Sequence, residues 1–200
     1  MMQILLKILN LRIISDRVQL YRFDANVINI SKRSSLMNEN FLVKLFEHNN
    51  WTNLCTIEVC SALTDEQLDA KPRSATKGTI RETLTHLVSS QAGYVSLLTL
   101  PVEARQFTPL EFAELKESAI KSGEGLLALA RGEQKPLSAK LQTRDSFHVE
   151  PWVVMVQIIN HATEHREQIC SMLTALGITP PDMDGWSYGD ATKSLTPIPK

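Results

Sequence analysis

Four long segments with the apolar periodicity of α-helices limit the folds that this chain can adopt. Within each segment, apolar residues recur at intervals of three and four positions, as they do on one face of a helix. The segments span about residues 39–63, 79–100, 108–132 and 151–177. No regular set of strands accompanies them, although the polar stretch between Leu137 and Val149 favours an irregular loop or a short hairpin. We therefore predict an all-α four-helix bundle with this connection before its last helix.

Capping patterns mark where several of these helices begin and end. Thr79 is followed three residues later by Glu82, and Thr108 by Glu111, which gives two capping-box patterns. We thus expect the second and third helices to begin after these threonines. Gly132 is suited to end the third helix, because glycine readily adopts the left-handed conformation found after helix C-termini.

The first 36 residues differ from the rest of the chain. They mix short apolar runs with polar residues, and neither the helical nor the strand period persists. We divide the chain into an N-terminal extension of uncertain order, residues 1–36, and a bundle domain, residues 37–200. One hypothesis is that Met37 is the natural start; the alternative is a genuine, weakly ordered extension.

The overall composition is that of a soluble globular protein. The 200 residues include 43% hydrophobic and 22% charged residues, which suffices for one well-buried core. A net charge of -1 without a long basic run argues against nucleic-acid binding, and the apolar runs are too short to span a membrane. The three cysteines form neither a paired framework nor a CxxC motif, which favours a reducing compartment. We expect a cytoplasmic protein.

Two histidines one helical turn apart are the main chemical signal in the sequence. His161 and His165 are four residues apart, so on a helix both rings project from the same face and can reach one metal ion. Both lie on the inward seam of the fourth helix, and His86 lies beside a row of small residues on the second. Three histidines would leave a coordination position open, as in catalytic zinc sites. The alternative is that these rings are simply packed and hydrogen-bonded in the core.

Other readings of the histidines are weaker. His48 also faces inward on the first helix, and we consider it a weak candidate for a fourth ligand or a substrate contact. The stretch from His161 to His165 fits the H-x-x-E-H pattern of some zinc proteases. That class takes a further glutamate ligand from well downstream, but no glutamate follows Glu167 in this chain. Glu164 is also adjacent to His165 and should point off the seam, so the pattern does not indicate a protease.

Several motifs along the helical part of the chain match a known family. They are Leu45-Phe46-Glu47-His48-Asn49-Asn50-Trp51, Thr85-His86-Leu87, Asn160-His161-Ala162-Thr163-Glu164-His165-Arg166-Glu167-Gln168-Ile169 and Leu176-Gly177-Ile178-Thr179-Pro180-Pro181-Asp182-Met183-Asp184. With them, residues 37–188 resemble the DinB/YfiT-like family of metal-binding four-helix bundles. The resemblance implies that His86, His161 and His165 bind a divalent metal, zinc or nickel before iron or manganese. It also implies a homodimer that acts on a small molecule.

Some members of that family are thiol S-transferases, which join a low-molecular-weight thiol to an electrophile. The resemblance therefore leads us to expect a metal-dependent S-transferase, with Glu164 and Gln168 as candidates for orienting the histidine ligands or the substrate. Metal-dependent hydrolysis is the alternative among enzymes. A non-catalytic, stress-associated bundle that binds a metal or another ligand is the alternative from a different class.

Overall fold

A computed structural model of the protein describes residues 40–73, 75 and 78–198. The helices are α1 (Phe41–Ser61), α2 (Asp65–Leu68), α3 (Ile80–Thr99), α4 (Leu115–Arg131), α5 (Pro151–Ala175) and α6 (Gly185–Ala191). Short 3-10 helices at Val102–Ala104 and Phe112–Glu114 precede α4, and strands β1 (Leu141–Gln142) and β2 (His148–Val149) form an antiparallel hairpin before α5. The predicted all-α fold and the connection before the last long helix are confirmed.

The four long helices pack as a closed bundle. Helix α1 packs against α4 and α5, and α3 packs against the same two helices. None of the helices in the described part of the chain is long and apolar enough to cross a membrane. The predicted division at residue 37 stays a prediction, because residues 1–36 lie outside the described residues.

One of the two predicted capping boxes forms and the other does not. At the start of α3, the Thr79 hydroxyl accepts from the Glu82 backbone N–H, and the Glu82 carboxylate accepts from the Thr79 N–H. The predicted start after Thr108 is wrong, because the chain stays extended up to Glu111 and α4 begins only at Leu115. Leu110 and Phe112 pack against the core, and the Glu114 carboxylate accepts from the Glu111 N–H at the start of the 3-10 turn.

Left-handed glycines end two of the long helices. Gly132 follows α4 with φ of 74° and donates its N–H to Leu129 O, as its position in the sequence predicted. Gly177 follows α5 with the same φ of 74° and redirects the chain. The segment beyond it leads to α6, a short helix that the sequence pattern did not predict and that Asp184 caps through Ser187 N–H.

The core consists of two apolar clusters with a polar layer between them. One cluster includes Ile57, Leu84 and Ile169, and the other includes Phe46, Leu98 and Ile158. On the first three long helices, buried polar residues lie between the positions that supply the two clusters: Asn49, Asn53, Gln91 and Ser122. On α5, the buried Arg166 lies between Ala162 and Ile169, which both belong to the first cluster. The polar layer therefore lies at the level of α5 that also carries the paired histidines.

Candidate metal centre

The three predicted ligands lie together at the contact between α3 and α5. The Nε2 atom of His161 is 3.1 Å from Nε2 of His86 and 3.1 Å from Nε2 of His165. The candidate ligand atoms of all three residues lie within 4.8 Å of one another. Within the described residues, no other group of three histidine, cysteine or acidic side chains has this geometry.

The helices impose this arrangement. His161 and His165 are one turn apart on α5, and α3 packs alongside it and supplies His86. Exposure increases across the cluster, since His165 is buried, His161 is partly buried and His86 is exposed. The ring of Tyr94 lies edge-on to His161, with 5.7 Å between ring centroids. The cluster is thus anchored in the bundle at His165 and open to solvent at His86.

The donor set fits a divalent metal ion. Two nitrogens 3.1 Å apart can both lie at the roughly 2.0–2.1 Å that separates zinc from imidazole nitrogen. Imidazole also suits nickel, copper and iron. In a neutral ring one nitrogen carries a lone pair, and lone pairs that face each other at this distance repel unless a proton or a cation lies between them. The three nitrogens therefore form a donor set that could hold a metal ion.

The hydrogen bonds of His165 leave its Nε2 available as a ligand. The Gln168 amide nitrogen donates to Glu164 Oε1 at 3.4 Å, and because a carboxylate only accepts, this orients the amide oxygen toward His165. That oxygen lies 2.9 Å from His165 Nδ1, so Nδ1 carries the proton and Nε2 carries the lone pair. Gln168 therefore contacts a candidate ligand directly, whereas Glu164 acts through Gln168.

The other two histidines lie elsewhere. His48 Nε2 is 2.9 Å from the backbone oxygen of Met183, and its ring packs edge-on against Tyr188 at 5.4 Å. The structure does not bring it to the three-histidine cluster, so the weak expectation of a fourth ligand is not met: the ring holds the C-terminal segment against α1. His148 is exposed in the hairpin.

Arg166, the residue after His165, is a buried cation that the sequence reasoning missed. Its guanidinium donates to Asn49 Oδ1 at 3.0 Å, to Asn53 Oδ1 at 2.6 Å and to Thr163 Oγ1 at 3.1 Å. Burial lowers its pKa to about 10, because charged guanidinium is poorly solvated there. It is nevertheless charged at neutral pH and is held by neutral oxygens.

The network around Arg166 extends through all four long helices. Both asparagine amides donate to Gln91 Oε1, at 3.1 Å from Asn49 and 2.9 Å from Asn53. The Gln91 amide nitrogen donates to Ser122 Oγ at 2.9 Å, and Ser122 donates to Ser118 O in its own helix. Each of these buried side chains has a partner, so the layer fixes how the helices are rotated relative to one another.

A cavity of about 730 Å³ adjoins the exposed side of the histidine cluster. Helix α3 lines one side of it with His86, Ser90 and Tyr94. The loop after α3 and the hairpin line the other side, with Arg105, Phe107 and Arg144. The row of small residues predicted beside His86 therefore does border open space. The part of the cavity wall that the loop and the hairpin form was not predicted, because these two segments meet only in the folded chain.

Comparison with protein-family models gives one match, described as the DinB family, over residues 37–199. The matched region contains the whole described bundle and all three clustered histidines. No curated protein matches the chain.

Proposed function

The chain belongs to the DinB family, and we propose that it is a divalent-metal-dependent thiol S-transferase that acts on small electrophiles. The observation that carries this proposal is the convergence of His86, His161 and His165 on one region that opens into a cavity. Such an enzyme must hold a metal through few protein atoms and admit a substrate beside it. Three imidazoles with one exposed side meet both requirements.

A divalent ion held by the three imidazoles would act as a Lewis acid and lower the pKa of a thiol that reaches the open position. The protein's own contribution is to supply neutral ring nitrogens and keep them in place. Gln168 holds the proton of His165 on Nδ1, and Tyr94 packs against the edge of the His161 ring. Zinc and nickel are the ions that we expect this donor set to bind, before iron or manganese.

The cysteines of the chain do not replace an external thiol. Burial raises the pKa of Cys60 to about 12 and that of Cys170 to about 11, so both are protonated thiols near neutral pH. Burial also raises the pKa of Cys55. Because the nucleophile is not supplied by these residues, we propose that a low-molecular-weight thiol supplies it. The three free cysteines also fit the reducing cytoplasm, where we expect the protein to act.

The experiment begins with protein purified without a histidine tag and measures metal by elemental analysis. We expect about one equivalent in the wild type and in His148→Ala, which removes an exposed histidine, and little in His161→Ala. Activity is then followed with 1-chloro-2,4-dinitrobenzene and glutathione or cysteine. Consumption that needs both thiol and metal supports the transferase, and unchanged turnover in metal-free protein would contradict it.

The same assay distinguishes the alternatives. Metal-dependent cleavage of 4-nitrophenyl acetate without any thiol would indicate a hydrolase, in which water takes the open position. Stoichiometric metal with neither activity would indicate a non-catalytic, stress-associated binding bundle. The homodimer stays a prediction, which sedimentation equilibrium of the tag-free protein tests directly.

A further inference from the structure

The cavity beside His86 has an apolar wall. Tyr94 and Leu97 line it from α3, and Phe107 lines it from the facing loop. Phe107 keeps 69% of its surface exposed. Gly93 also lines the cavity, and a Cβ placed there would have no atom within 4 Å. These residues leave room for a flat, apolar molecule.

The far end of the cavity is positively charged. The Arg105 guanidinium donates to Leu100 O at 2.9 Å and to Gln142 O at 2.6 Å, and the Arg144 guanidinium donates to Arg105 O. These partners are neutral carbonyls. Neither guanidinium forms an ion pair with any carboxylate among the described residues. Burial and the nearby Arg144 lower the pKa of Arg105, although Glu103 acts in the opposite direction.

Arg81 provides an internal comparison. It also borders the cavity, but its guanidinium is paired with Asp65 and with Asp69, the latter at 2.8 Å. Its charge is therefore paired within the protein, whereas Arg105 and Arg144 form no ion pair among the described residues. Two adjacent cations without a carboxylate partner favour an anion, because guanidinium binds carboxylate, sulfonate and phosphate oxygens through charge-assisted hydrogen bonds.

We infer that the cavity binds an apolar or aromatic molecule that carries an anionic group. The anionic group contacts Arg105 and Arg144, the apolar body lies along Tyr94 and Phe107, and the opposite end is directed toward His86. This inference rests on the proposed function, since it names the class of molecule that would reach the metal centre. It predicts selection by charge, which the three histidines alone do not provide.

The test uses metal-free protein and two fluorescent dyes that differ in one anionic group. These are 1-anilinonaphthalene-8-sulfonate and N-phenyl-1-naphthylamine, which lacks the sulfonate. We expect Arg144→Gln to weaken binding of the sulfonate dye by about tenfold, the value of one charge-assisted contact, and to leave the neutral dye unchanged. Arg144→Lys should retain most of the affinity. Arg131→Gln removes an exposed arginine from α4 and should have no effect.

The variant Gly93→Phe tests whether the dyes bind in this cavity, because it places a ring in the open space beside α3. We expect this variant to weaken both dyes. Equal binding of the sulfonate dye by wild type and Arg144→Gln, or unchanged binding of both dyes by Gly93→Phe, would overturn the inference. Because no metal is present, these outcomes are independent of whether the histidines bind one. Failure of the anion site is therefore distinguishable from failure of the proposed function.

Discussion

Two polar clusters lie at neighbouring residues of α5, Arg166 and His165, and they differ in burial and in what their polar groups contact. Arg166 lies in a buried layer where each polar group meets a protein partner. His165 belongs to a cluster in which three ring nitrogens point at one another and the exposure increases toward His86. The polar groups of the first cluster are hydrogen-bonded to one another, whereas the second is a set of ring nitrogens that could hold a metal ion. We expect the buried, saturated network to stabilise the fold and the histidine cluster to serve binding.

The largest effect should come from breaking the saturated cluster. Arg166→Ala leaves the side-chain oxygens of Asn49 and Asn53 without their buried donor, which should lower the free energy of unfolding by about 2 to 4 kcal/mol. Urea denaturation measures the loss. Arg131→Ala removes an exposed arginine and should cost less than about 0.5 kcal/mol. Equal losses in the two variants would mean that the buried layer is not a major source of stability.

The histidine cluster should stabilise the protein only when metal is present. With zinc at 100 times its dissociation constant, the wild type should gain about 2.7 kcal/mol in unfolding free energy. His161→Ala should gain none, and in metal-free buffer it should differ from the wild type by less than about 1 kcal/mol. Denaturation with and without zinc tests both statements. A large loss for His161→Ala without metal would show that the histidines serve the fold, as Arg166 does.

A smaller effect should come from the hydrogen bond that orients His165. Gln168→Ala removes the acceptor of the His165 Nδ1 proton and should weaken metal binding by about tenfold to a hundredfold. Gln157→Ala, an exposed glutamine on the same helix, is the matched control. Competition with a chromophoric chelator gives the affinities. If both variants bind metal as the wild type does, Gln168 has no positioning role.

The helices and the paired histidines could be predicted because their signals are local. The Thr79 and Glu82 pattern lies within four residues, and the spacing of His161 and His165 already places both rings on one face. The start of the third long helix, α4, was predicted too early, because the local pattern at Thr108 does not show that a 3-10 turn at Phe112–Glu114 comes first. The prediction of His86 as the third ligand depended on its place beside a row of small residues and on the family resemblance, and the structure places it on the exposed side of the cluster.

The rest of the site depends on contacts between distant segments. Arg166 has a glutamate two residues before it and another directly after it in the sequence, a pattern typical of an exposed position, and its buried partners Asn49 and Asn53 lie on another helix. Helix α6 is short and contains two glycines besides its Asp184 cap, so it has a weak helical signal of its own. Tyr188 of this helix packs against His48 of α1, a contact between segments that are far apart in the sequence.

The direct adjacency of His165 and Arg166 also constrains how the length of α5 can change during evolution. Each residue added to a helix rotates everything beyond it by about 100° and shifts it by about 1.5 Å. An insertion between His161 and His165 would separate the two rings, and one between His165 and Arg166 would change how the histidine cluster is placed relative to the buried network. An insertion after Gly177, where the helix has ended, changes neither relation. We therefore expect changes in the length of this part of the chain to be tolerated after Gly177 and not between His161 and Arg166.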